Sequence, residues 1–385
     1  MRKRIASRRV QKCPDEILNA PLAVRVKFFK EEIVHHDAFD EALEKMETAI
    51  ACGLPGTMLV LVGPAGVGKS SLGDELHVRV SEEFFKSNPD DKYTIPSVCI
   101  EAWSGEDGRF DWKDFYEQIL EALQAPLVFN TLPEVRRVIA GREFFLPDIT
   151  QRRAPTISAY RARLRRSIRE RKPLVLFFDE ASGIIQSSRL ERVKIKSNTL
   201  RSMVNSSNTT MIVSGAYDLY DLALQTGQLA RRGDVIHVRP YLPQEVESVA
   251  KVFYALQEIM PVKGGCNLEP FADQIVHQAL RTTGLLKKIM TRGLVLSSQL
   301  NRPIDEEILS QCYLKPAQWK KLQMDMFDGY LKVEGVQHPE DSRKLVPDEQ
   351  DEETSDAGKA KPKTGKNRRV GRTKPSRGVR DQKHA

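Results

Sequence analysis

Gly63-Pro-Ala-Gly-Val-Gly-Lys69-Ser70 follows directly on the apolar run Met58-Leu-Val-Leu-Val62. The stretch completes the pattern G-x-x-x-x-G-K-[ST]. In that pattern glycines let backbone N–H groups close around a β-phosphate, the lysine reaches the β/γ oxygens and the hydroxyl holds Mg²⁺. A helix opening near Lys69 would point its positive end at the same anion. The expected phosphate cradle is Gly63, Pro64, Ala65, Gly66, Val67, Gly68, Lys69, Ser70 and Ser71, and the expected ligand is a nucleoside triphosphate with Mg²⁺.

Working outward, Lys172-Pro-Leu-Val-Leu-Phe-Phe-Asp179-Glu180 is a second half-site. An apolar run without alternation suits a central parallel strand covered on both faces. At its end Asp179 is expected beside Ser70 as a second Mg²⁺ ligand. Glu180 is expected to deprotonate the attacking water, which needs a carboxylate near the γ-phosphate. Paired carboxylates after a buried strand favour hydrolysis over binding alone.

The chain has 385 residues, room for an α/β domain, a smaller helical one and tails. No apolar run approaches the length of a membrane span and no signal peptide is visible, so a cytoplasmic protein without a membrane partner is expected. Cys13, Cys52, Cys99, Cys266 and Cys312 lack C-x-x-C spacing and read as reduced thiols. The formal net charge of +8 is unevenly placed: from Lys359 onward eleven Lys/Arg face one Asp, leaving residues 1–358 near neutral. An acidic stretch, Asp348-Glu-Gln-Asp-Glu-Glu353, precedes that basic tail. Such composition predicts disorder, serving either as a nucleic-acid-binding arm or as a solubilising tail.

Along the chain, helical spacing marks 37–50, 71–85, 112–123 and 156–171, and strands are expected at 58–62, 95–100, 172–180, 209–214 and 235–238. Residues 125–155 read as irregular and arginine-bearing. Only helical patterns follow residue 243. The predicted class is α/β: a P-loop core with a parallel sheet flanked by helices, then a small α-helical lid. The expected divisions are an N-terminal extension (1–35), the core (36–242), the lid (243–300), a helical appendage (301–335) and the tail (336–385).

These residues resemble an AAA+ ATPase. Finer texture is similar to the TniB/TnsC group of transposition regulators: His36-Asp-Ala-Phe-Asp-Glu-Ala-Leu, the phosphate loop, Asp111-Trp-Lys-Asp-Phe-Tyr-Glu-Gln-Ile-Leu-Glu-Ala-Leu-Gln-Ala-Pro126 and Leu176-Phe-Phe-Asp-Glu-Ala-Ser182. The resemblance covers roughly residues 30–300. It implies ATP and Mg²⁺ as ligands, self-assembly into a ring or filament on double-stranded DNA, and a link between a target-selector protein and a transposase. A prokaryotic, nucleoid-associated location goes with it.

The resemblance also implies an arginine finger reaching a neighbour's γ-phosphate; Arg231 or Arg232 would supply it. A polar sensor would be Ser214, although Ala216 stands where relatives often carry Thr. Lys287, after Gly284, falls where many relatives place a sensor arginine, and a lysine there lacks the bidentate fork. Arg189, Arg192, Lys194 and Lys196 are the expected contacts to the DNA backbone, with Arg201 in the same stretch. The arginines of 161–169 read as a solvated helix face. The alternative function is a signalling or defence switch acting on a protein partner without DNA. A replication initiator shares the fold, but no helix-turn-helix or winged-helix module is recognisable after residue 300.

Overall fold

The computed structural model describes residues 13–102, 110–125, 134–139, 142–147, 155–185, 190–205, 207–224, 235–263 and 265–335. In chain order it begins α1 (Asp15–Asn19), α2 (Leu22–Glu31), α3 (Asp37–Cys52), β1 (Met58–Val62), α4 (Lys69–Ser87), β2 (Ser97–Glu101) and α5 (Trp112–Ala122). Then come β3 (Glu134–Ile139), β4 (Arg142–Pro147), α6 (Ile157–Arg171), β5 (Val175–Asp179), α7 (Ser182–Ile185), α8 (Leu190–Val204), β6 (Thr210–Gly215), α9 (Tyr220–Leu224) and β7 (Val235–His237). The remainder is helical: α10 (Val246–Ile259), α11 (Ala272–Gln278), α12 (Thr283–Leu300), α13 (Glu306–Cys312) and α14 (Pro316–Glu334).

Five strands form one parallel sheet in the order β2-β5-β6-β1-β7. The apolar runs of β1 and β5 are explained by burial on both faces. Met58, Val60 and Val62 enter the core shared with α5, α6 and α8, whereas Leu59 and Leu61 enter the core shared with α3 and α4. Alternate side chains of one strand therefore fill two separate layers, as a parallel sheet sandwiched by helices requires.

Local chemistry sets the flanking helices. Asp111 caps α5 by accepting from the N–H groups of Lys113 and Asp114, and Phe115, Tyr116, Ile119 and Leu120 form its buried face. Phe115 meets Phe178 edge-on with centroids 4.9 Å apart, so the Asp-Trp…Phe-Tyr segment braces the residue just before Asp179. On α6, Tyr160, Leu164, Ser167 and Ile168 are buried while Arg161, Arg165, Arg166 and Arg169 are exposed.

Residues 134–139 and 142–147, expected to be irregular, form an antiparallel strand pair in which Ile139 pairs with Arg142 and Glu134 with Pro147. Its first strand has apolar residues at 135, 138 and 139, a spacing that imitates a helix and hides the strand period.

A second helical core gathers Val249, Phe253 and Leu256 of α10, Leu286, Ile289 and Met290 of α12, Ile308 and Leu309 of α13, and Met326 of α14. Phe29 of α2 and Val34 belong to this cluster. The Arg25 guanidinium fixes the attachment, donating to the Pro261 carbonyl at 3.0 Å and to Ser298 Oγ at 3.2 Å. Among the described residues no helix is long and apolar enough to cross a membrane.

Candidate active site

The loop between β1 and α4 takes a shape that its glycines permit. Gly66 (φ +79°) and Gly68 (φ +106°) lie in the left-handed region, which L side chains avoid. Gly68 is the N-cap of α4 and offers no side-chain acceptor, so the first-turn N–H groups point out of the helix as anion donors. Lys69 opens the helix, is only 8% exposed, and donates from Nζ to the carbonyls of Gly63 and Pro64, each at 2.9 Å. Burial pulls its pKa down, and the negative charges of Glu180, Asp179 and Asp218 act against that shift. Ser70 is exposed beside it.

The sheet delivers the carboxylates to the same edge. Phe178 pairs with Val213, so the next residues, Asp179 and Ser214, lie side by side. Ser214, fully buried, donates its hydroxyl to Asp179 Oδ1 at 2.8 Å. Asp74, one helical turn beyond Ser70, has its pKa raised by burial and by the charge of Asp179. Burial pushes the Cys99 thiol up to about 12, with Asp74 and Asp179 adding to it. This concentration of negative charge, with one hydroxyl and one carboxylate in oxygen-only chemistry, fits a Mg²⁺ ion shared with substrate phosphates. Ser70 and Asp179 are the groups that could hold it.

Glu180 is exposed and has φ +48°. Left-handed backbone costs a non-glycine residue about 1–2 kcal/mol, and here the strain turns the carboxylate out of the sheet into solvent. The chain is then stitched to β6: the Ala181 N–H donates to the Ser214 carbonyl at 2.8 Å, and the Ala216 N–H to Ser182 Oγ at 3.0 Å. Ser182 in turn donates to Asp218 Oδ1 at 2.7 Å. Ala216, without a side-chain hydroxyl, joins this arrangement through its backbone. Ser182 and Asp218 were not singled out from sequence. Their signal, a Ser and an Asp just past two strand ends, has meaning only once β5 and β6 are known to be neighbours.

The helical layer reaches the loop directly. Gly284, in the first turn of α12, donates its N–H to the Gly66 carbonyl at 2.7 Å; a Cβ at 284 would lie 2.4 Å from that oxygen. Close by, His36 joins three elements. Its Nδ1 accepts from the Phe39 N–H (3.3 Å), so the Tyr241 hydroxyl donates to the same nitrogen (2.6 Å) and Nε2–H donates to Thr283 Oγ (3.2 Å). Burial lowers its pKa to about 4, and the imidazole is neutral.

Lys287, expected from the resemblance as a phosphate sensor, has backbone partners in this structure. Its ammonium is held by the carbonyls of Lys30 (2.7 Å) and Glu32 (2.6 Å), at the C-terminal end of α2. The free carbonyls of a helix end attract a cation, which accounts for this pairing. Arg201 is also turned inward, 7% exposed, because α8 packs Val193, Ser197, Leu200 and Val204 against the core. Lys194 lies on the exposed face of α8, and Lys196 is half-buried. Arg192 lies on the same helix; Arg189, Arg231, Arg232 and the tail from 336 lie outside the described residues.

The family described as AAA domain matches residues 55–223. No curated protein matches the chain. Among solved structures, the ORC1 protein of Aeropyrum pernix in complex with DNA is 10% identical, with 79% of this chain and 70% of that chain covered and a TM-score of 0.50. The ORC2 protein of the same organism in its ADP form is 13% identical over 83% of this chain and 87% of its own, with a TM-score of 0.47. Drosophila ORC bound to DNA is 14% identical over 90% and 85%, with a TM-score of 0.44. With a phosphate loop between β1 and α4 and an AAA domain over residues 55–223, this chain is an ATPase of the AAA+ P-loop fold.

Proposed function

We propose that this ATPase binds duplex DNA through its backbone in the ATP state, assembles on it, and regulates transposition by linking a target selector to a transposase. The observation that carries the reading is the position of α8. This helix comes directly after the Asp179-Glu180 strand and α7, and it turns Lys194 outward. A DNA-facing surface so close in sequence to the hydrolytic carboxylates could change with the bound nucleotide. The resemblance of the 111–126 and 176–182 segments to TniB/TnsC regulators supports the same assignment. The fold is shared with ORC1, a protein solved in complex with DNA.

In this reading the backbone N–H groups of residues 65–71 and the Lys69 ammonium bind the β- and γ-phosphates. Ser70 and Asp179 would hold Mg²⁺, which would supply charge neutralisation at the phosphates. Ser214 holds the Asp179 carboxylate in orientation. Glu180 takes the proton of the water that attacks the γ-phosphorus as the bond to the ADP oxygen breaks. Arg231 or Arg232 acts on the nucleotide of the adjoining subunit. Residues 36–242 serve as the core, 243–300 as the lid and 301–335 as an appendage. Hydrolysis works as a timer that dissolves the assembly.

The test is binding of a labelled random-sequence duplex with no nucleotide, with ADP and with a non-hydrolysable ATP analogue, at two salt concentrations. Cooperative binding that requires the analogue and weakens steeply with salt is expected. Absence of binding in every state would overturn the DNA reading in favour of a switch acting on a protein partner.

A further inference from the structure

The C-terminal helix α14 is docked on the sheet edge beside the candidate site, through contacts that ATP chemistry alone does not call for. Its last residue, Glu334, sits 2.6 Å from Nδ1 of His237 on β7, and Nε2 of the same ring is 3.0 Å from the Tyr217 hydroxyl. A carboxylate only accepts, so Nδ1 carries the proton and Nε2 accepts from Tyr217. The order Glu334, His237, Tyr217 is a directional relay in which each group fixes the next. Burial pulls the His237 pKa down against the opposing effect of Glu334, and it raises that of Tyr217, with the charge of Glu334 adding to it.

Packing reinforces the relay. Gly329 lies flat on the Tyr217 ring, and a Cβ there would fall 1.9 Å from a ring carbon. Tyr330 meets the His237 ring at 5.6 Å between centroids. Lys332 pairs with Asp221 at 2.8 Å. Four positions of one helix thus grip the segment 217–221 and β7.

That segment continues the candidate site. Tyr217 stands between Ala216, whose N–H is tied to Ser182, and Asp218, which accepts from Ser182 and lies within the field of Lys69. Three residues before Tyr217, Ser214 holds Asp179. The Tyr217 ring is therefore the handle by which the end of β6 can be held or released.

We propose that Glu334 is a positioning residue for ATP hydrolysis: through His237 and Tyr217 it sets the segment 214–218, so that turnover depends on α14 being seated. A partner, or a pull on the chain beyond residue 335, that lifts α14 would slow the chemical step without emptying the nucleotide site. The proposal rests on the assignment of the phosphate loop and Ser214 above.

The test uses the full chain and reads two quantities, the ATP turnover number at saturation and the dissociation constant for a fluorescent ATP analogue. Glu334→Ala and Gly329→Ala should lower turnover fivefold or more, with nucleotide affinity within twofold of the parent. Glu334→Gln should restore turnover to within twofold, because its amide oxygen still accepts from Nδ1–H. Lys320→Ala, on an exposed position of α14, should change neither quantity. Parent-like turnover in Glu334→Ala would overturn the proposal; it sits at a half-exposed helix end where folding is not at stake. An equal loss in the Ala and Gln variants, or a fall in affinity matching the fall in turnover, would overturn it as well. Failure of the underlying site reading shows elsewhere, as undiminished affinity in Lys69→Ala.

Discussion

Gly284 and Gly66 are joined by a 2.7 Å hydrogen bond between backbone groups, which sets the first turn of α12 against the phosphate loop. The contact needs two residues without side chains on the facing surfaces, since a Cβ at 284 would approach the Gly66 oxygen to 2.4 Å. Gly284→Ala should therefore push α12 away from the loop. We expect a loss of about 1–3 kcal/mol in stability from the overpacking. A thermal melt together with a nucleotide titration checks this, and weaker ATP binding is expected to accompany the lower midpoint.

Lys69→Ala should weaken ATP binding by roughly 100-fold, the equivalent of a lost charge-assisted hydrogen bond of ~3 kcal/mol. Isothermal titration with a non-hydrolysable analogue measures it. Unchanged affinity would remove Lys69 from the phosphate site.

Glu180 separates stability from activity. Glu180→Gly should relieve left-handed strain and stabilise the fold by roughly 0.5–1 kcal/mol, while abolishing turnover through loss of the base. Glu180→Gln keeps the strain and should bind ATP normally with turnover down ~10²–10⁴-fold. Denaturant midpoints and steady-state phosphate release distinguish the two variants. Turnover retained by either would exclude Glu180 as the base.

His36 gives a pH signature. Its folded pKa is about 4 against an ordinary 6.5, so the unfolded chain takes up the proton first as pH falls. The contribution of the neutral ring is complete above pH 6.5 and is lost progressively down to pH 4, amounting to at most ~3 kcal/mol. His237 and His277, both lowered by burial, act with the same sign. Denaturant unfolding between pH 7 and 4 should show a shallower decline in His36→Gln than in the parent protein. Parallel curves would mean that the buried imidazole is not neutral.

Thiol chemistry offers an independent check on burial. Burial pushes Cys99 up to about 12 and Cys266 and Cys312 up to about 11, while Cys52 is exposed. At pH 8 iodoacetamide should alkylate Cys52 well before the other three, because the thiolate is the reacting form. Peptide mass mapping over a time course reads the order.

The residues legible in the sequence are those whose chemistry is local. Gly63 to Ser70 and Val175 to Glu180 announce themselves because a strand, its turn and the functional side chains are contiguous. Ser214 entered only through the family resemblance, as a polar sensor, and its bond to Asp179 becomes visible once β5 and β6 are known to be neighbours. His36 was visible only as part of a family-like segment, because its partners Tyr241 and Thr283 lie 205 and 247 residues away. The same distance effect hid Glu334, which is 97 residues from His237. The partners of Lys287 were hidden in the same way: its position after Gly284 fits a sensor, and the carbonyls of residues 30 and 32 that hold its ammonium lie 257 and 255 residues away in the chain.

The His36 junction also fixes an order of events during synthesis. A ribosome adding about 5–20 residues per second needs on the order of 12–50 s to deliver Thr283 after His36. Through that interval the sheet can form, since its last strand ends at His237, while the phosphate loop lacks its cover. Phe29 and Val34, both buried in the helical cluster, have no partners until α10 and α12 emerge. A nascent chain of this protein therefore presents the apolar side chains of Phe29 and Val34 until α12 has been made. Chains terminated before Thr283 are the ones chaperones and proteases should find first.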